Sequence, residues 1–292
     1  MDSPTMVIPE GMTFLLYRIS FKGPCKSANP HVQVLERILA PTKSSWDGPM
    51  DYWIQFSEVN GLVITGSGLS VIDGQGSDWW ALKMTGCNGL HIEGLTHLNS
   101  QRNHITLTDC GNVTISGITI KAPGDSPNTD GIDISHSTNV RIEHSNIGTG
   151  DDCVAINGGC SDINITNVAC GPGHGISVGS LGANGATEEV ERVHVQNCNF
   201  TDTRNGGGSG YAKTILFDKI MLERVHNPIV IDQYYCNGGH HCTEYVSSPS
   251  AVKISDVTFN GIRGSSTNIL VINLNRSKTV ACTNITMSQI SI

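Results

Sequence analysis

Residues 111–147 read GNVTISGITIKAPGDSPNTDGIDISHSTNVRIEHSNI. One phrase occurs twice in that stretch, GNVTI at 111–115 and TNVRI at 138–142: a small or polar residue, then apolar-x-apolar. The same grammar recurs as NGLVI (60–64), NGLHI (88–92), SDINI (161–165) and ERVHV (191–195), and more loosely as TILF (214–217), AVKI (251–254) and NITM (284–287). The closing apolar residues are separated by 28, 23, 27, 23, 30, 22, 37 and 33 positions. A loose period in the twenties to thirties, built on short alternating segments, is the mark of a strand-based solenoid. The leucine consensus of leucine-rich repeats and the 3.6-residue period of helical repeats are both missing. The spacing therefore predicts a right-handed parallel β-helix of about eight to ten coils, single-stranded, all-β, and one domain over residues 1–292. Neither end shows an amphipathic helix to cover the stack.

Composition agrees. Of 292 residues 33 are glycine, only 15% are charged and 5% aromatic, a balance that suits strands and turns. A net charge of −8 without a Lys/Arg run offers no phosphate footprint, so nucleic acid is not an expected partner. Nor does any stretch approach the uninterrupted apolar length of a membrane span. A monomer is expected. Ten cysteines, an even and high count, point to an oxidising compartment. Five N-x-S/T sequons (Asn112, Asn164, Asn199, Asn275 and Asn284) are compatible with one. The opening MDSPTMVIPEG lacks the basic start and apolar core of a signal peptide, so a natural N-terminal segment is expected to precede it.

Three stretches place polar groups just before an apolar-x-apolar strand. They are NTDGIDIS with Asp130, TGDDCVAING with Asp151 and Asp152, and GHGISVG with His174. The interval from 130 to 152 equals that from 152 to 174 and amounts to about one coil. The four side chains are therefore expected to stack on one face, on coils roughly 4.8 Å apart. Any one aspartate before a strand is an ordinary turn former. Aligned acids raise one another's pKa without structural benefit and so suggest chemistry. Carboxylates bracketing a substrate suit glycosidic hydrolysis, one donating a proton and another activating water or attacking carbon.

At these residues the chain resembles the polygalacturonases, glycoside hydrolase family 28, of the plant type. SPNTDGIDIS, TGDDCVAING, CGPGHGISVGSLG, NPIVIDQYYC and WIQFSEVNGLVITGSGLSVIDGQGSDWW carry the likeness over nearly the whole chain. The resemblance implies secretion toward the cell wall and inverting, metal- and cofactor-free hydrolysis of α-1,4-linked galacturonic acid in pectin. It makes Asp151 the general acid, gives Asp130 and Asp152 the attacking water, and has His174 set the protonation of the acid. Tyr235 would contact the sugar, and Asn128 would orient its loop, unless it is a plain turn residue. Cys153 and Cys170 would form a disulfide across about one coil. Cys236 and Cys242 would close a small loop, and Cys87 and Cys110, one coil apart, are a third candidate pair. Cys25, Cys160, Cys198 and Cys282 have no assigned partner. The remaining histidines are read as surface or turn residues, and Trp79 and Trp80 as packing over an end coil. A zinc site in CNGGHHC is disfavoured.

One family block is missing. Plant members carry Val-Arg-Ile-Lys and three further residues between Asn-Gly and Gly-Gly-Ser-Gly-Tyr-Ala. Here Asn205-Gly206 runs straight into Gly207-Gly208-Ser209-Gly210. Neither Arg204 nor Lys213 occupies the motif. A local distortion of the stack is expected there. Two other readings stay open: a calcium-dependent pectate lyase on a similar solenoid, and a pectin-binding protein without turnover.

Overall fold

The computed structural model describes residues 3–46, 51–77, 82–100, 102–179, 181, 188–204, 212–233, 252–278 and 280–292. Trp79, Trp80, Tyr235, Cys236, Cys242 and the run 205–211 lie outside them.

The chain winds as a right-handed parallel β-helix, each coil contributing short strands to three faces. Thr5–Ile8, His31–Val34 and Val63–Gly66 begin the second face, and the stack runs on through Gly111–Ser116, Thr138–Glu143 and Cys160–Thr166 to Thr283–Ser288. The first face is a seven-stranded sheet of Ile19–Lys22, Ile54–Ser57, Leu82–Thr85, Ile105–Thr108, Ile132–Ser135, Asp152–Ile156 and Gly175–Val178. Among the described residues the only helical element is the 3-10 turn Lys43–Ser45, so no helix is long and apolar enough to cross a membrane.

The repeated phrase has a local cause. Asn112, Asn139, Asp162 and Arg192 each precede the first apolar residue of a repeat, and their φ values are 53, 54, 58 and 56°. This left-handed corner turns the chain onto the second face. Asn and Asp tolerate it because a short polar side chain offsets the crowding at Cβ. The asparagines also stack: Asn139 Nδ2 donates to Asn112 Oδ1, and Asn112 Nδ2 to Asn88 Oδ1, both at 2.7 Å. The next apolar residues then point inward in register. Ile64, Ile92, Ile115, Ile142, Ile165, Val195 and Phe217 pair successively from coil to coil. The first six are at most 2% exposed and Phe217 3%. Burying each such side chain contributes about 1.5–3 kcal/mol relative to exposure.

The last repeats need a correction. Phe217 pairs with Phe259, not with Ile254, which pairs with Ala212. The closing residue of that coil therefore lies in DVTF (256–259), and the next step runs from Phe259 to Met287. The coil from 217 to 259 is accordingly the longest in the second-face row. The Phe217 and Phe259 rings stack at 5.4 Å, a contact the aliphatic pattern of the earlier coils does not foreshadow.

The expected distortion is absent from the second face and from the third (Arg37–Leu39 through Asn199–Thr201), while the first-face sheet stops at the coil before the shortened block. Val195 pairs with Phe217 and Phe200 with Leu222, two equal steps, so the second and third faces run unbroken past the shortened block. On the first face, Gly175–Val178 is the last strand of the seven-stranded sheet, and Ile229–Asp232 pairs with Ile272–Asn275 in a separate two-stranded sheet.

Cysteine usage also differs from the expectation. Cys153–Cys170 is bridged, with Cα atoms 5.9 Å apart, whereas Cys87 and Cys110 are free thiols. These two stack one coil apart in the core and hydrogen-bond to each other. Their sulfurs also donate to the carbonyls of Phe56 and Thr85, and of Thr108. Both are thus satisfied as thiols within the stack. Cys25, Cys160, Cys198 and Cys282 are free as well, so the even count does not translate into a disulfide framework among the described residues.

Candidate active site

The three motifs meet at the entrance to the first face. Ile132 pairs with Val154 and Val154 with Ile176, while Ile134, Ile156 and Val178 form the parallel row. The polar residue ahead of each strand is thereby fixed at one angular position. The Gly131 N–H donates to the Asp152 carbonyl at 2.8 Å, and the His174 N–H to the Asp151 carbonyl at 2.7 Å. Between the partners of Asp152 (Gly175) and Val154 (Ile176) the register slips by one residue, Cys153. Such a bulge re-aims the adjoining side chains, and the Cys153–Cys170 bridge pins it.

Two glycines make the close approach possible. A Cβ on Gly150 would lie 1.9 Å from the Ser126 carbonyl, and one on Gly173 (φ +148°) 2.6 Å from the Asp151 carbonyl. Thr129, missed in the sequence reading although it stands inside NTD, ties the two acid-bearing loops together. Its Oγ1 accepts the Gly150 N–H and donates to the Ser126 carbonyl, both at 2.9 Å.

His174 Nδ1 is 2.8 Å from Asp151 Oδ1, which also accepts the Asp152 N–H at 3.0 Å. One ligand atom from each of Asp151, Asp152 and His174 falls within 4.8 Å of the others. All three side chains are partly exposed. The Ser177 hydroxyl donates to Asp152 Oδ2. Asn128, at φ 53°, sits in the left-handed region that favours Asn, and its backbone N–H is directed at the Asp151 carboxylate.

Burial and mutual repulsion spread the pKa values of the acids. Burial, then the charges of Asp152, Asp151 and Asp133, push Asp130 up to about 9. Burial raises Asp152 to about 7 against the opposing Ser177 hydrogen bond. Burial alone would also raise Asp151, but the His174 hydrogen bond and charge and the N–H groups of Asp152 and Asn128 outweigh it, holding Asp151 below the usual carboxylate range. In the free site the proton therefore rests on Asp130, while Asp151, the acid implied by the resemblance, is ionised against His174.

Two further kinds of residue escape the sequence reading. Asp133 projects outward from the same wall between Thr106 and Ala155. Burial raises it to about 6 against hydrogen bonds from Asn157 and Asn103. Its signal is the polar middle position of IDI. His97 and His104, read as surface or turn residues, are fully buried. Burial lowers them to about 3 and about 4, so both are neutral. His104 lies directly behind Asp130: its backbone N–H donates to the Asp130 carbonyl at 2.8 Å and its Nδ1 lies 3.1 Å from the same oxygen. Its Nε2 accepts the Ser100 N–H at 3.2 Å. Nothing in the pattern distinguishes these rings from exposed histidines, because only the winding turns them inward.

Outside the acids, an open cleft of about 780 Å³ is lined by Asp151, His174, Arg204, Arg224 and His226, among others.

The sequence profile of the glycosyl hydrolases family 28 matches residues 2–292. An Arabidopsis thaliana protein named "probable polygalacturonase" is 48% identical over 98% of this chain and 65% of its own length. A polygalacturonase of Cryptomeria japonica is 39% identical over 99% of this chain and 60% of its own length. The chain thus spans less than two thirds of these relatives. Among solved structures, the endo-xylogalacturonan hydrolase of Aspergillus tubingensis superposes with a TM-score of 0.86 at 24% identity, over 98% of this chain and 84% of that one. The polygalacturonase of Erwinia carotovora gives a TM-score of 0.70 at 20% identity, over 97% and 94%; both likenesses speak to the fold. With a profile match across nearly every residue and a close relative sharing almost half its sequence, the chain belongs to glycosyl hydrolases family 28.

Proposed function

We propose that this protein hydrolyses the α-1,4 bonds between galacturonic acid units of pectin, and that it acts outside the cell as a monomer. The supporting observation is the convergence of Asp130, Asp151, Asp152 and His174 on successive coils of one face. Relatives sharing its family are named polygalacturonases, and a solved fold neighbour, endopolygalacturonase I of Stereum purpureum, is described as complexed with two galacturonates.

The protonation pattern fits a division of labour. A base must be ionised to take a proton from water. Asp152, at about 7, loses its proton before Asp130, at about 9, so Asp152 is the base. Asp130, still protonated, holds the same water by a hydrogen bond. The leaving oxygen needs a proton from Asp151. The 2.8 Å contact with His174 Nδ1 supplies one: an imidazolium there passes its proton to Asp151 as the carboxylate meets the developing alkoxide. Water attacks the anomeric carbon, the glycosidic C–O bond breaks, Asp152 gains the water proton and the departing hydroxyl keeps the proton from Asp151. Oxygens of Asp151 and Asp152 lie within 4.8 Å, closer than the roughly 6.5–9.5 Å of a simple inverting pair. The water is accordingly seated by Asp130 and Asp152 jointly, to one side of the acid.

The test is reducing-end release from polygalacturonate. Asp151→Asn and Asp152→Asn should each lose about 100- to 10,000-fold in kcat, with the anomer of the first product inverted by proton NMR. Unsaturated products that vanish with a chelator would identify a lyase instead. Tight binding without any new reducing ends would identify a pectin-binding protein.

A further inference from the structure

Resting on the reading of this site as a hydrolase, we infer that His104 is a positioning residue: its buried imidazole fixes the peptide plane that follows Asp130 and so sets where the Asp130 carboxyl holds the attacking water. The ring never meets the substrate, being 0% exposed beneath the wall. Its tautomer follows from its partners. The Ser100 N–H, which can only donate, is directed at Nε2 at 3.2 Å, and burial keeps the ring neutral. A neutral imidazole has one N–H, so the proton lies on Nδ1, 3.1 Å from the Asp130 carbonyl. The Lys121 carbonyl also faces the ring and does not change this, because Nε2 is already an acceptor.

The surroundings of Asp130 explain why a further contact matters. Two ladder bonds hold the peptide between Asp130 and Gly131: its carbonyl accepts the His104 N–H at 2.8 Å, and its N–H donates to the Asp152 carbonyl at 2.8 Å. Both run along the stack, so on their own they leave the plane free to rock about that line. Gly131 adds to this freedom, since glycine resists backbone rotation least. A larger residue is barred there, because a Cβ would lie 2.4 Å from Ile147 Cγ2 and 2.5 Å from the Cys153 carbonyl. The Nδ1–H of His104 reaches the same carbonyl from another direction and stops the rocking. The Asp130 carboxyl hangs from the Cα at which this peptide begins, and it shares the water with Asp152. Displacing one of two groups that seat a nucleophile lowers rate rather than affinity. His97, the other buried imidazole, stands between Ile72 and Ile120. Both its ring nitrogens lack a hydrogen-bond partner among the described residues, which makes it the control for burial without anchoring.

The experiment exploits two amide side chains. In His104→Asn the side-chain amide nitrogen stands where Nδ1 does, so the bond to the Asp130 carbonyl survives while the Ser100 N–H loses its acceptor. In His104→Gln the side-chain oxygen reaches as far as Nε2, serving Ser100 and leaving the Asp130 carbonyl with its ladder bond alone. Both variants should lower Tm through lost volume. On polygalacturonate, His104→Gln should lose about tenfold to a hundredfold in kcat with KM within about twofold of the parent, whereas His104→Asn should stay within about threefold in kcat. His97→Leu should change Tm without changing kcat. Equal kcat losses in the Asn and Gln variants, or a loss that tracks Tm across all three, overturn the assignment. A second readout needs no turnover. Carboxyl carbon NMR of aspartate-labelled protein, with the Asp130 signal identified by its absence in Asp130→Asn, follows the titration of a group that faces Asp152, Asp151 and Asp133. The midpoint should move in His104→Gln and hold in His104→Asn; an unmoved midpoint in His104→Gln refutes the positioning role. If the parent releases no reducing ends and the midpoint still moves in His104→Gln alone, the hydrolase falls and the positioning stands.

Discussion

Ser177→Ala isolates the base. The Ser177 hydroxyl donates to Asp152 Oδ2 and is the principal influence resisting the upward push of burial on that carboxyl, which stands at about 7. A hydrogen bond to a charged group contributes about 1.5–3 kcal/mol, and about 1.36 kcal/mol moves a pKa by one unit. Deletion should therefore raise Asp152 by about one to two units, with the lower value favoured because the half-exposed site lets water replace part of the bond. The sign is fixed: the hydroxyl stabilises the ionised form, so without it the base stays protonated to higher pH. Below both pKa values kcat/KM follows the ionised fraction, so the variant should be about tenfold slower there and equal to the parent on the alkaline side of the acid limb. Initial rates at low substrate from about pH 4 to about pH 9 read this directly as the acid limb of the profile. A uniform loss at all pH would mean that Ser177 merely supports the fold. An unmoved limb would mean that Asp152 is not the titrating base.

Two further outcomes follow from the same structure. Asp130 is held protonated up to about 9, so the folded state keeps a proton that the unfolded chain releases near 4, and stability falls as pH rises between those values. Asp130→Asn, which cannot ionise, should match the parent in Tm near pH 4 and exceed it by a margin that widens toward pH 9; a constant margin would refute the protonated state. Replacing Cys153 and Cys170 by alanine opens a 17-residue loop and should lower stability by about 2–4 kcal/mol. That loss would appear as a lower denaturant midpoint, accompanied by reduced activity because the bulge beside Asp152 is freed.

What can be read from the sequence is what repeats. The corner residues at 112, 139 and 162 and the inward isoleucines follow from steric rules that act within a few residues, so the winding, its register and the convergence of 130, 151–152 and 174 are all legible. Ile254 is misplaced by the pattern because the long coil between Phe217 and Phe259 breaks the period, and the register passes to an aromatic instead. His97 and His104 are misread for a different reason: burial of a polar ring is decided by what the previous coils place around it. The charge state of the site is illegible as well. That Asp130 rather than Asp151 keeps the proton depends on His174 Nδ1 and the N–H groups of Asp152 and Asn128 all pointing at one carboxylate, and spacing does not encode direction.

The shortened block at 206–207 can be understood through the one-dimensional character of the stack. Each coil contacts only its neighbours, and the second and third faces hold their pairing across this coil, Val195 with Phe217 and Phe200 with Leu222. Coil length already varies widely, from the short step between Val195 and Phe217 to the much longer one between Phe217 and Phe259. Length on the first face therefore changes without cost to the rest. Losing two cations there alters how the wall meets an anionic sugar and leaves the second and third faces paired. Restoring Val-Arg-Ile-Lys and its three neighbours after Gly206 would lengthen this coil, yet leave it well short of the one that follows, and added loop length costs little. The repaired chain should keep its Tm within a few degrees and gain about tenfold or more in kcat/KM on polygalacturonate. If the repair unfolds the protein, the faces are not independent. If it folds and the rate is unchanged, the existing wall already supplies all the positive charge the substrate can use.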